Sequence, residues 1–301
     1  MRILLTGATG FLGSHIAENL YNANNDLFLT KRQFSSIANC ESFSSDVKWV
    51  NTDSLDWVEK AILYKPDVII HAAWNGVSSS NRGDWSEQLS NIDFIYQLLK
   101  IADQCTIKKF ISLGSQAEYG QFDGRITEDY PLNPTTSYGA VKLAAMTIIK
   151  LFCSERNIDW YWLRVFSVFG ERESQNWLIP SVILKMKSDY KEMDFTLGEQ
   201  KYAYLYVKDF AESISKVIAH QGSSGIYNLS SNKAISLKEL LLKIKASVNP
   251  KFKLNFGNKP YRPNQSMHIE GDSTKFNETF GKVETSNFEE KLHLVINSYQ
   301  I

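Results

Sequence analysis

The sequence has little cysteine and no surplus of charge. Its three cysteines, Cys40, Cys105 and Cys153, are odd in number, far apart and not grouped with histidine. That pattern excludes a disulfide framework, argues against a zinc or other metal site, and reads as unpaired thiols in a reducing compartment. Basic and acidic residues balance at 33 each among 301. No bulk field therefore draws the chain to nucleic acid or to a membrane surface. No apolar run reads as long enough to span a bilayer, and "MRILL" turns straight into glycine-rich sequence instead of into a signal peptide. Internal repeats and low-complexity linkers are lacking too. These absences predict a soluble, cytoplasmic protein with neither a nucleic-acid nor a membrane partner.

What is present is regular alternation. "RILLT" is short, apolar and bounded by a turn, so it reads as a fully buried strand. "FLGSHIAENL" follows with Leu12, Ile16 and Leu20 at helical spacing. Gly7, Gly10 and Gly13 sit between, where the backbone turns sharply and something approaches it closely. A helix N-terminus with bare N–H groups is an anion site, and the usual anion is a phosphate. The spacing is not that of the commonest dinucleotide fingerprint, so a tight helix–strand packing turn stands as the plain alternative.

Strand-like segments recur at 27–30, 47–51, 66–73, 108–115 and 158–170, with helical stretches at about 55–64, 85–104 and 138–157. Strands this apolar, separated by helices, predict an α/β fold with a doubly wound, Rossmann-type parallel sheet and ligands at the strands' carboxyl ends. The expected division is a dinucleotide-binding domain at 1–170 and a smaller C-terminal α/β substrate lobe at 171–301. Segments at about 200–225 are expected to return to the first domain. "SLKELLLKIKASV" at 236–248 is amphipathic and predicts a helix packed on the smaller lobe.

Three constellations carry candidate chemistry. The second strand ends in Thr30, Lys31 and Arg32, where an NAD site usually places an acid for the ribose hydroxyls. Two cations there favour a 2′-phosphate, hence NADP over NAD; solvated surface charge is the plain alternative. Tyr138 and Lys142 are four apart and share a helix face. A nearby ammonium stabilises the phenolate and makes the tyrosine a usable general acid or base. Ser115 ends the strand at 108–115, on the rim where a ligand lies, and can donate to a substrate carbonyl oxygen.

With "TGATGFLG", "HAA" at 71–73, Asn91, "GSQAEYG", "SYGAVK", "LRVFSVFG", "LGEQKYAYLYVKDFAES" and "YRPNQ" in place, the chain resembles the extended short-chain dehydrogenase/reductases of the nucleotide-sugar branch. The resemblance covers nearly the whole length. It implies Ser115, Tyr138 and Lys142 as the catalytic trio, with Lys142 also holding the nicotinamide ribose. It implies Gly7, Thr9, Gly10, Phe11, Leu12 and Gly13 along the pyrophosphate, and Asp53 and Ser54 near the adenine. It adds Ala72, Ala73, Trp74, Leu113 and Val165 as further cofactor contacts. On the substrate side it implies Ser78, Gln116, Asn176, Trp177, Lys201, Tyr204 and Arg262. Pairing of the helices at 85–104 and 138–157 across a two-fold axis implies a homodimer.

Dehydratases of this branch use an Asp–Glu pair where this chain has Gln116 and Ala117, neither of which exchanges a proton as a carboxyl does. Glu118 lies one residue late and is expected to face the other way. Tyr202, Ala203 and Tyr204 replace the branch's Arg-Asp-Phe, which leaves Lys201 or Arg262 to meet the diphosphate. The chain looks most like reductases of dTDP-4-keto-6-deoxyhexoses, which use NADPH to make sugars for surface polysaccharide. A C4 epimerase or C4 dehydrogenase with bound NAD is the alternative enzyme. A non-catalytic NADP-binding sensor is the alternative of another class, disfavoured because the trio is complete.

Overall fold

The computed structural model describes residues 1–78, 80–283 and 287–299. The first half alternates as β1 (Arg2–Thr6), α1 (Phe11–Asn22), β2 (Asp26–Lys31), β3 (Lys48–Asn51), α2 (Trp57–Tyr64), β4 (Val68–His71), α3 (Trp85–Gln104) and β5 (Lys109–Ser115). Then come β6 (Gly124–Ile126), α4 (Ser137–Glu155), β7 (Asp159–Val165), β8 (Ser167–Phe169), α5 (Leu178–Lys187), β9 (Glu192–Phe195) and β10 (Lys201–Tyr206). The chain ends with α6 (Val207–Ala219), β11 (Gly225–Leu229), β12 (Ala234–Ser236), α7 (Leu237–Val248), β13 (Lys253–Phe256), β14 (His268–Gly271), α8 (Thr274–Phe280) and α9 (Phe288–Ser298).

Seven strands form one parallel sheet in the order β11-β7-β5-β4-β1-β2-β3. Successive residues of each strand face opposite sides, and both sides are apolar. Ile3, Leu5, Ile70 and Ile111 pack under α1, α6 and α8, while Leu4, Ile69 and Phe110 pack under α2, α3 and α4. This is the doubly wound, Rossmann-type fold. Strand order reverses at β1, which has β2 on one side and β4 on the other, so a crevice opens at the carboxyl ends there.

A second sheet, β12-β10-β14-β6 with β8 beside β10, and the pair β13–β9 build the smaller lobe with α5, α7 and α9. The apolar run 158–170, expected as one strand, is two. Phe166 breaks it by donating its N–H to Leu229 O and turning its ring into a cluster with Tyr119 and Phe122. β7 therefore stays in the large sheet, and β8 crosses to the small one. Within the 200–225 segment, α6 packs on α1 beneath the large sheet, whereas β10 lies in the small sheet.

One expectation needs correction. α4, at 19 residues, is long and apolar enough by length and composition to cross a membrane. Its buried face, including Val141, Lys142, Ala145 and Ile149, packs against the sheet beside α3, as a core helix does. The three cysteines are free and buried. Burial pushes the Cys40 thiol up to about 11 and the Cys153 thiol up to about 12, so both are held as inert thiols.

Candidate active site

A single cavity of about 1030 Å³ runs along the crevice from the glycine turn to the small lobe. Its floor at one end is the β1–α1 turn. Gly7 has φ +73°, and a Cβ there would lie 2.7 Å from the backbone N of Ala73; a Cβ on Gly13 would lie 2.0 Å from Gly7 O. The turn is therefore pressed onto both α1 and the end of β4, a fit that only glycine allows. Gly10 caps α1 without a side chain, leaving the first-turn N–H groups facing the cavity. Thr9, Phe11 and Leu12 line it as well. This cradle fits a dinucleotide's pyrophosphate.

Lys31, the last residue of β2, and Arg32 just beyond it line the cavity, with Arg32 Nη1 donating to Asn75 Oδ1 at 3.4 Å. Asp53 also lines it, and its Oδ2 accepts from Gln33 N at 2.7 Å. Ala72, Ala73 and Trp74, past the end of β4, form the walls together with Leu113 of β5 and Val165 at the end of β7. Ser54 does not face the cavity; its hydroxyl is turned to Asp56 at the start of α2.

Ser115, Tyr138 and Lys142 meet in the middle of the cavity, each less than a tenth exposed. Burial raises the Tyr138 phenol's pKa, and the neighbouring Ser115 hydroxyl opposes that rise. Lys142 Nζ donates to Leu113 O at 2.7 Å and sits 3.5 Å from the Trp74 ring centroid. Burial pulls its ammonium down to about 7, against the attraction of Glu118. Trp74 is thus a pocket wall: its indole carries the lysine, meets Tyr138 edge-on and donates from Nε1 to Gln88 Oε1 at 2.9 Å.

The two residues at the dehydratase acid positions offer no carboxyl. Gln116 lines the cavity, and its Oε1 has no partner among the described residues. Glu118 points away into the protein. It accepts from Ser115 N at 2.7 Å, Trp162 Nε1 at 2.9 Å and Arg164 Nε at 2.8 Å, in a pair with both side chains fully buried.

At the far end Trp177, Tyr204 and Arg262 line the cavity, but Lys201 does not. Along β10 alternate side chains face opposite ways, so Tyr202 and Tyr204 turn in and Lys201 turns out to solvent. Asn176 is exposed, one residue before Trp177 in a turn closed by Trp177 N and Ser174 O. Ser78 also misses the cavity, with its hydroxyl on Asn81 Oδ1 at 2.9 Å.

Several lining residues escape the sequence reading. Arg82, four positions beyond Ser78, approaches Tyr138. Glu173 turns a carboxyl into the cavity, and burial pushes it up to about 8. Tyr202, Gln200 and Lys259 complete the far end. Arg82, Glu173 and Lys259 carry no such signal, because loop conformation and lobe packing bring them in, whereas the alternation along 200, 202 and 204 could have found Gln200 and Tyr202.

The model of the "NAD dependent epimerase/dehydratase family" matches residues 3–230. The chain belongs to that family. It is a family of nicotinamide-dinucleotide-dependent enzymes. The chain is 27% identical over 277 residues to the CDP-abequose synthase of Salmonella muenchen, covering 91% of this chain and 89% of that one. It is 28% identical over 278 residues to the dTDP-6-deoxy-L-talose 4-dehydrogenase (NAD(+)) of Aggregatibacter actinomycetemcomitans, covering 90% and 99%. Among solved structures, the UDP-N-acetylglucosamine 4-epimerase of Methanobrevibacter ruminantium M1 superposes with a TM-score of 0.89 at 23% identity, covering 99% of this chain and 97% of that one. That likeness establishes the shared fold.

Proposed function

We propose that this chain reduces the C4 ketone of a nucleotide-activated 4-keto-6-deoxyhexose, a dTDP-sugar first, with NADPH as reductant. The carrying observation is a single cavity that joins a dinucleotide cradle to Ser115, Tyr138 and Lys142 while Glu118, the nearest carboxylate in sequence, is locked onto Arg164. Proton transfer without a second carboxyl acid–base pair suits carbonyl reduction better than elimination of water. Relatives named for a CDP-sugar and for a dTDP-6-deoxy sugar support a nucleotide-sugar substrate. Lys31 and Arg32 in the cavity support NADP.

A nicotinamide held along this cavity would supply the hydride for the sugar carbon. Ser115 donates to the carbonyl oxygen and polarises it. Tyr138 gives its proton to the alkoxide that forms, and the positive charge of Lys142 stabilises the phenolate left behind. Trp177, Tyr204 and Arg262 hold the nucleotide end. The test is consumption of NADPH with a 4-keto-6-deoxyhexose nucleotide, lost in Tyr138→Phe. Turnover only with NAD and the reduced sugar supports the C4 dehydrogenase that the second relative's name suggests. Binding of NADPH without turnover across such substrates supports a sensor.

We also propose that the enzyme works in the cytoplasm as a homodimer through α3 and α4. Trp85, Leu89 and Tyr96 on α3 and Leu151 on α4 are each more than half exposed. A dimer would cover this apolar stripe. A sedimentation mass of one chain overturns that assignment.

A further inference from the structure

Arg82 lies in the loop between β4 and α3, and its guanidinium carbon sits 4.9 Å from the Tyr138 ring centroid and 5.8 Å from that of Trp177. Residues 75–77 and 82 of this loop are held by hydrogen bonds. Buried Asn91 accepts from Asn75 N at 2.8 Å, and buried Gln88 donates to Gly76 O at 2.9 Å. Arg82 Nε donates to Val77 O at 3.0 Å, which fixes the plane of the fork. Arg82 O accepts from Tyr138 N at 3.1 Å and from Ser137 Oγ at 2.9 Å. It thereby satisfies an N–H in the open first turn of α4. Backbone and side chain thus tie Arg82 to the same tyrosine.

We propose that Arg82 is a positioning residue for proton transfer, a permanent positive charge held against the Tyr138 ring that stabilises its phenolate alongside Lys142. The inference rests on reading Tyr138 as the proton donor. A phenolate spreads negative charge into its ring, so a cation over the ring favours it more than it favours the phenol. Three charged or titratable side chains act on Tyr138 from the elements around it. Arg82 from the loop lowers its pKa, Glu118 from the turn after β5 raises it, and Lys142 from α4 lies with Nζ 5.9 Å from the ring centroid. His71, which faces Lys142 from β4, is pushed down to about 3 by burial and carries no charge near neutrality. Because burial also brings Lys142 to about 7, its ammonium is only partly populated near neutral pH. A guanidinium stays charged throughout.

The test needs no substrate, so it separates this inference from the proposed reaction. Tyrosine labelled with carbon-13 at Cζ reports each phenol's ionisation by NMR, and Tyr138→Phe assigns the resonance. Arg82→Gln moves the Tyr138 midpoint upward by roughly half a pKa unit or more, as expected for loss of one close cation. Arg82→Lys, which keeps the charge, recovers most of that shift, while the other tyrosines stay in place. With turnover established, the alkaline limb of kcat moves upward in Arg82→Gln by the same amount. An unchanged Tyr138 midpoint in Arg82→Gln, or one raised as far in Arg82→Lys, overturns the proposal.

Discussion

Replacing Glu118 by leucine removes a carboxylate that accepts from Ser115 N, Trp162 Nε1 and Arg164 Nε at a site with no solvent access. Arg164 stays behind as a buried guanidinium. Its Nη2 already lacks a partner among the described residues, and Nη1 reaches only Glu128 O at 3.4 Å. Water cannot replace the lost carboxylate. Breaking a buried pair from one side costs about 3–5 kcal/mol, a large share of the roughly 5–15 kcal/mol by which a domain is stable. Urea unfolding followed by tryptophan fluorescence measures the loss. Arg164→Met in the same chain removes the stranded charge, so the double variant is expected to recover roughly 2 kcal/mol or more over the sum of the single losses. A loss below about 1 kcal/mol in Glu118→Leu, or strict additivity in the double variant, refutes the reasoning. The folded fraction of Glu118→Leu also tests the site: with its N–H unpaired, Ser115 is less firmly held, and kcat falls while binding of the dinucleotide is retained.

Lys142→Met is expected to stabilise the ligand-free protein at neutral pH while abolishing turnover. Lys142 is held at about 7 when folded, so between that value and its ordinary pKa the unfolded chain binds more protons and stability rises with pH. The stability difference between the two proteins, read by urea unfolding, therefore narrows as pH climbs from 7 toward 10. A lysine variant less stable than the parent at pH 7 contradicts this. Glu173 runs the other way. Held at about 8 by burial, it makes stability fall as pH rises from the ordinary carboxyl range through 8, and Glu173→Gln removes that slope. Paired substitution of Lys31 and Arg32 by serine is expected to weaken NADPH far more than NADH, and the loss to diminish at high salt; equal weakening of both contradicts the 2′-phosphate assignment.

The glycine turn, the long helices and the pairing of Tyr138 with Lys142 on one helix face were legible because each is written in neighbouring residues. Gly7, Gly10 and Gly13 mark a backbone path, α3 and α4 carry long helical runs, and Tyr138 and Lys142 share a face by spacing alone. Glu118 does turn away, but not by strand alternation: Gln116–Glu118 form a 3-10 turn, and the carboxylate folds back to accept from Ser115 N. Elsewhere the determinant lies far off in sequence. Nothing in the stretch 158–170 announces that Phe166 will bond to Leu229 and split it between two sheets. Lys201 was expected inside because it is a cation near the right motif, yet the strand's alternation delivers Tyr202 and Tyr204 instead. Arg82 was missed because its approach to Tyr138 depends on how Gln88 and Asn91, buried on the next helix, shape the loop.

The most direct test of the proposed reaction uses NADPH carrying deuterium at the transferable C4 position, incubated with the protein and a dTDP-4-keto-6-deoxyhexose. The account predicts stoichiometric oxidation of the nicotinamide and deuterium at C4 of the product sugar, both lost in Tyr138→Phe. Interconversion of C4 epimers with no net consumption of reduced nicotinamide, or full deuterium transfer by Tyr138→Phe, would contradict it.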